Sequence, residues 1–207
     1  MSKNISILDY GIGNVRSLHN SLAYNKLSSI ITDKEDKVLE SQMLIVPGVG
    51  SFKGCMDAIK KRNLHKLIYA FAKTGKKLVG ICVGMQILFD HGYEFKKTKG
   101  LGLIKGEVRR IDYKSKKNIL LPHIGWNSLI VKKKNNIIES SKKSFYFIHS
   151  FSCVPVDKKV ILSTTKYVNI EFTSAIQKSN IYGFQFHPEK SSNEGLNLLR
   201  KLYEVNE

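Results

Sequence analysis

Residues 78–91 read LVGICVGMQILFDH, with Cys82 between Gly80 and Gly84 at the point where a short apolar run gives way to helical spacing. A nucleophile is best presented on a sharp strand-to-helix turn. The crowding of that turn demands small neighbours, as in the G-x-S-x-G elbow of hydrolases. A cysteine at a helix N-terminus also faces free backbone N–H groups and the positive end of the dipole, which favours the thiolate. The same stretch is equally compatible with a small buried hydrophobe on a glycine-rich turn.

A reactive thiol needs a base, and the base needs an orienting group. The segment Gly183-Phe184-Gln185-Phe186-His187-Pro188-Glu189-Lys190 offers both. Pro188 biases His187 toward an extended conformation and fixes its own φ. Residues two apart in extended chain share a side, so the Glu189 carboxylate can hold the far nitrogen of the His187 ring. His-Pro-Glu alone is common; joined to the cysteine elbow it makes a Cys-His-Glu catalytic set. A third stretch, Val46-Pro47-Gly48-Val49-Gly50-Ser51, ends an apolar run in two spaced glycines. The backbone N–H groups around Gly48, Val49 and Gly50 could stabilise an oxyanion. A plain strand-to-helix turn with Ser51 as N-cap fits the spacing as well.

These stretches need a scaffold that turns strands into helices at short intervals. Ile5–Tyr10 reads as a strand, and Val15, Leu18 and Leu22 recur at helical spacing. Ser28–Thr32 and Met43–Val46 read as further strands. Leu64, Leu67, Ile68 and Phe71 mark a helix capped by Gly75, and Leu78–Ile81 is the next strand. The residues from Met85 to Phe89 read as a helix following the nucleophile. Such alternation predicts parallel βαβ units. From about Leu101 the texture changes to strands and turns, and Ser191 to Tyr203 returns to helix with Leu196, Leu199 and Tyr203 on one face. The expectation is an open α/β sheet with an antiparallel-rich extension, residues 1–207 forming a single domain.

The composition fits: 207 residues, 42% hydrophobic and 25% charged, ordinary globular values. No run approaches the roughly 20 apolar residues of a membrane span. The three cysteines, Cys55, Cys82 and Cys153, match neither a disulfide framework nor a zinc pattern. A cytoplasmic protein without membrane association, metal or cofactor is expected. The formal charge of +17 favours anionic partners. Its lysines, however, fall in turn-like clusters (Lys114–Lys117, Lys132–Lys134, Lys142–Lys143) without interleaved aromatics, so a solvated surface rather than nucleic-acid binding is expected. Gly11-Ile12-Gly13 after a strand is not a dinucleotide fingerprint, because position 16 is Arg16.

Together the three stretches resemble the class I (triad) glutamine amidotransferases. Asp9-Tyr10-Gly11-Ile12-Gly13-Asn14, Pro122-His123-Ile124-Gly125-Trp126-Asn127, Tyr146-Phe147-Ile148-His149-Ser150 and His187-Pro188-Glu189-Lys190-Ser191-Ser192 extend the likeness over nearly the whole chain. They point to the branch that serves histidine biosynthesis. The resemblance implies a flavodoxin-like, mainly parallel sheet flanked by helices. It implies that Cys82 attacks the side-chain amide of L-glutamine, that His187 shuttles protons and that Glu189 orients it. It also implies an oxyanion hole near Gly48, Val49 and Gly50, with glutamine contacts at Gln86, His149, Ser150 and Phe151. The ammonia would pass to a (β/α)8-barrel cyclase subunit, in a heterodimer, that makes imidazole glycerol phosphate and AICAR. Asn14, Trp126, Tyr146 and Lys190 would lie near that interface. Val83 and Phe151 depart from the family's commoner Leu and Tyr; neither touches the triad. The competing readings are a cysteine peptidase, a γ-glutamyl hydrolase, a paralogous subunit feeding ammonia to a surface-sugar-modifying synthase, and a catalytically silent regulatory or nucleic-acid-binding module on the same fold.

Overall fold

The structure, a computed structural model, describes residues 4–112, 119–138 and 143–205. Its first half alternates β1 (Ile5–Leu8), α1 (Val15–Tyr24), β2 (Ser29–Thr32), α2 (Glu35–Glu40), β3 (Met43–Val46), α3 (Phe52–Lys61), α4 (Leu64–Lys73), β4 (Lys77–Ile81) and the one-turn α5 (Val83–Gln86). The second half carries β5 (Phe89–Gly92), β6 (Thr98–Lys99), β7 (Ile104–Arg110), β8 (His123–Val131), β9 (Ser144–His149), β10 (Phe151–Pro155), β11 (Ile161–Tyr167), β12 (Ile170–Lys178), β13 (Ile181–Phe184) and α6 (Ser192–Glu204).

A nine-stranded sheet runs β2-β1-β3-β4-β13-β12-β11-β8-β9, and a four-stranded sheet runs β10-β7-β5-β6. Strands β2 to β13 of the large sheet pair in parallel, and the rest of that sheet is antiparallel. Strands covered on both faces read as continuous apolar runs. Accordingly Met43, Leu44, Ile45 and Val46 are all buried, as are Leu78, Val79 and Ile81. The registers Val46↔Gly80 and Gly183↔Gly80 set the ends of β3, β4 and β13 side by side. Ligands of open α/β sheets bind at the carboxyl ends of such strands. The segments beginning at Pro47, Cys82 and Gln185 leave from this one edge.

The structure corrects two expectations. The helix after Cys82 ends at Gln86 instead of running through Phe89. Beyond it the chain is drawn toward the second sheet: Leu101 N–H donates to Ile87 O at 2.8 Å and Ile104 N–H to Leu88 O at 3.1 Å. Phe89 pairs with Ile104 as a strand residue. The buried face of α6 is Gly195, Leu198, Leu199 and Leu202, while Leu196 and Tyr203 are only half-buried. Gly195 lies against the Pro188 carbonyl, which sets the rotation of that helix. Helix α2 and strand β12 carry no expectation from the sequence, and α3 begins at the Ser51 cap, whose Oγ accepts from Gly54 N–H at 3.1 Å. Among the described residues no helix is long and apolar enough to cross a membrane. Of the lysine clusters, Lys114–Lys117 and Lys142 lie outside the described residues; Lys132 pairs with Glu171 and Lys143 with Glu194.

Candidate active site

Cys82 is the one-residue joint between β4 and α5, with φ 55° and ψ −114°. A side chain at positive φ is strained, at a cost of about 1–3 kcal/mol, and such strain collects at functional turns. Close packing holds it there. A Cβ on Gly84 would stand 1.9 Å from the Val46 carbonyl oxygen, and one on Gly48 would stand 2.3 Å from the Gly84 nitrogen. Glycine at both positions lets the 47–50 segment lie directly against the elbow. Cys82 N–H donates to Phe184 O at 2.7 Å, tying the elbow to the neighbouring strand.

That strand leads to the other two members. His187 has φ −100° and ψ 97°, extended as the following proline favours. Its Nδ1 lies 2.8 Å from Glu189 Oε1, and both side chains are only 4% exposed. The segment is pinned at both ends. His187 N–H donates to Tyr146 O at 2.9 Å, and Ser191 Oγ donates to His187 O at 2.6 Å. Burial alone would lower the imidazole pKa, but hydrogen bonds to Cys82 and Glu189, with the charges of both, outweigh it and push His187 up to about 10. The cationic form of the ring is therefore the favoured one, with the Glu189 carboxylate hydrogen-bonded on one side and Cys82 adding to the same preference.

A cavity of about 360 Å³ opens over Cys82, large enough for a free amino acid. Val49, Gly50, Gln86, His149, Ser150, Phe151, His187 and Lys190 line it, so the structure gathers most of the sequence-derived candidates around one space. Gly48 is buried behind it against the elbow. The Phe151 carbonyl accepts from Gln86 Nε2 at 2.9 Å and faces His149 Nδ1 at 2.9 Å. Burial pulls His149 down to about 3, so its ring is neutral and its Nδ1 carries the proton that this carbonyl accepts. The 47–50 segment is anchored from below: Tyr10 Oη donates to Pro47 O at 2.6 Å, and Cys55 Sγ donates to Val49 O at 3.4 Å. Burial pushes the Cys55 thiol up to about 11, so it stays a donor.

The remaining candidates divide. Lys190 is exposed at the cavity mouth beside Pro122 and Ile148. Trp126 and Tyr146 are partners across β8 and β9, their rings 6.0 Å apart, away from the cavity wall. Asn14 is elsewhere, half-buried in a crevice with Gly48, His187 and Glu189 on the far side of the triad. Two residues at the site carried no expectation from the sequence, one in the cavity wall and one buried behind Cys82. Glu94 lines the wall and accepts from Phe52 N–H at 2.8 Å; burial raises its pKa. Nothing in its loop announces that position. Gln185, wholly buried, reaches Cys82 Sγ with its Nε2 at 3.8 Å. Its signal was present, since the two-residue alternation that pairs His187 with Glu189 extends back to residue 185. Among the described residues no group of three or more His, Cys, Asp and Glu side chains could hold a metal ion.

A cysteine elbow, a buried His-Glu pair and a backbone segment packed on the elbow, all at the carboxyl edge of a parallel sheet, define a class of hydrolytic amidotransferase. The family model described as "Glutamine amidotransferase class-I" matches residues 6–204, and the chain belongs to that family. Within it, similar curated proteins include imidazole glycerol phosphate synthase subunits HisH. The protein of Pelagibacter ubique is 43% identical, with 95% of this chain and 97% of that one covered. That of Aquifex aeolicus is 40% identical over 93% and 92%. The chloroplastic imidazole glycerol phosphate synthase hisHF of Arabidopsis thaliana is 38% identical, matching 95% of this chain but 33% of its own length. Among solved structures, the one titled "Structure of PurLQS from Thermotoga maritima" aligns with a TM-score of 0.75 over 98% of both chains at 22% identity, a likeness of fold.

Proposed function

We propose that this chain is the glutaminase subunit of an imidazole glycerol phosphate synthase, acting in histidine biosynthesis. The observation that carries the reading is Cys82 and His187 lining an amino-acid-sized cavity, with the buried Glu189 carboxylate holding His187 from behind. L-Glutamine enters with its side-chain amide toward Cys82. Sγ, as thiolate, attacks the amide carbon, and the oxygen takes up negative charge stabilised by backbone N–H groups of the Gly48, Val49 and Gly50 segment. His187, as imidazolium, donates its proton to the departing nitrogen. Ammonia leaves and a γ-glutamyl thioester remains. Neutral His187 then takes a proton from water as that water attacks the thioester, and collapse releases L-glutamate and restores the thiolate–imidazolium pair. Glu189 holds the ring in place throughout.

The cavity walls fit the rest of the substrate. Glu94 is the one carboxylate lining that cavity among the described residues, and it suits the α-ammonium group. The backbone of His149, Ser150 and Phe151 would receive the α-carboxylate. Gln86 has both amide protons committed, leaving its carbonyl oxygen for a donor on the ligand. Ammonia would pass to a (β/α)8-barrel cyclase docked as a heterodimer over the cavity mouth. Ile124 and Trp126, each about half exposed, and Ile148 form an apolar strip beside Lys190 that suits such an interface, with Tyr146 supporting Trp126. The Arabidopsis relative supports a partner beyond this chain, since the matching part is a third of its length. We place the protein, as one glutaminase domain, in the cytoplasm, where its three buried thiols stay reduced.

The test is active-site labelling with a diazoketone analogue of glutamine, read by peptide mass spectrometry. Modification confined to Cys82 and prevented by excess glutamine is expected. Labelling at Cys55 or Cys153, or labelling indifferent to glutamine, would count against the reading.

A further inference from the structure

The sulfur of the nucleophile has a hydrogen-bond donor that the triad does not include. Gln185 Nε2 lies 3.8 Å from Cys82 Sγ, from a side chain wholly removed from solvent. An amide can turn its oxygen or its nitrogen to a neighbour, and coordinates alone distinguish the two poorly. Here the chain of contacts decides. The Phe151 carbonyl can only accept, so Gln86 must present its nitrogen there, at 2.9 Å. The second proton of that nitrogen points to Gln185 Oε1, at 3.1 Å. With its oxygen so occupied, Gln185 must turn its NH2 group to the sulfur. The polarity thus runs one way, from Phe151 O through Gln86 and Gln185 to Sγ. The backbone fixes the near end of Gln185 as well, through its N–H to Ser174 O at 2.9 Å.

Resting on the glutaminase reading above, the geometry points to Gln185 as a further catalytic residue: a preorientated donor that stabilises the Cys82 thiolate and aims it. A donor pays off most when the acceptor is charged. A hydrogen bond to a charged group is worth more than one to a neutral group, and more still where water is excluded. Gln185 therefore favours the attacking thiolate over the thiol and over the neutral thioester sulfur. His187 supplies the opposite charge and moves the proton; Gln185 carries no charge and holds the sulfur between strand and elbow. Gln86 and the neutral His149 ring act through this amide as positioning residues, because together they satisfy the Phe151 carbonyl that sets its direction.

The test uses the full chain and two variants of nearly unchanged volume, Gln185→Met and Gln185→Glu. The pH dependence of Cys82 alkylation by iodoacetamide is followed by peptide mass spectrometry without glutamine. The midpoint is expected to move upward by about 1–2 pH units in Gln185→Met, and at least as far in Gln185→Glu, where an acceptor replaces the donor. With the cyclase bound, kcat should fall about 10–100-fold while KM stays within about twofold. A folded variant that alkylates with the parent profile would overturn the proposal. Loss of folding in both variants would assign the amide a structural role and overturn it too. Alkylation is read without substrate, so shifted profiles in a chain that never hydrolyses glutamine would sink the glutaminase reading and leave this contact standing.

Discussion

At the scale of the residue, the account turns on the proton that His187 keeps. Its pKa stands at about 10 against an ordinary 6.5: burial works against the cation, while hydrogen bonds and charges from Cys82 and Glu189 work for it and prevail. The sign follows directly. The folded chain binds this proton more tightly than the unfolded chain, so the stabilisation is complete below about 6.5 and is lost as pH rises through about 10. Turnover should follow the same limb, holding to mildly alkaline pH and falling as the imidazolium that protonates the leaving nitrogen disappears. Stopped glutamate assays across that range, with parallel thermal melts, check both. Because Cys82 is a principal cause of the elevation, Cys82→Ala should lower the His187 titration midpoint in imidazole NMR. An unchanged midpoint would mean that the two side chains do not interact.

At the scale of the element, three parallel strands end at one edge, and two glycines let their exits touch. Gly84→Ala would drive a methyl into the Val46 carbonyl, a backbone contact that no rotamer change relieves. We expect a loss of about 3 kcal/mol by chemical denaturation, or, if the fold yields, displacement of the 47–50 segment with glutaminase activity down at least about 100-fold. How far this was legible in the sequence varies with the kind of force involved. Strands β1, β3 and β4 could be read because burial on both faces leaves a nearly continuous apolar run, broken in β1 only by the buried Ser6. The elbow and the His-Pro-Glu segment could be read because turn sterics and two-residue alternation are local rules. The short α5 could not, since the chain beyond it is drawn off by the amides of Leu101 and Ile104, distant in sequence. Glu94 was silent for the same reason: only the fold brings its loop to the N-terminus of α3. Gln185 was legible and overlooked, standing in the same alternation as His187 and Glu189. The α6 register failed because Leu196 and Tyr203 are compatible with either face until the Pro188 carbonyl claims Gly195.

At the scale of the whole molecule, the antiparallel wing built on β8 and β9 does two things. Its inner side holds His149 and the Phe151 carbonyl against the cavity, and its outer side shows Ile124 and Trp126 to solvent. On a lysine-rich chain of net charge +17, the exposed Ile124 and Trp126 make the apolar strip proposed above as the cyclase contact. Trp126→Ala should weaken cyclase binding by about 2 kcal/mol, roughly 30-fold in Kd by titration calorimetry, while leaving Cys82 alkylation unchanged. The central claim is that Cys82 generates ammonia here for use elsewhere. Its most direct measurement compares product formation by the assembled synthase carrying Cys82→Ala, supplied either with glutamine or with an ammonium salt. The account predicts no glutamine-dependent synthesis and ammonium-dependent synthesis at the rate of the unaltered complex. Glutamine-dependent synthesis that survives the substitution, or loss of both activities in a complex that still assembles, would contradict it.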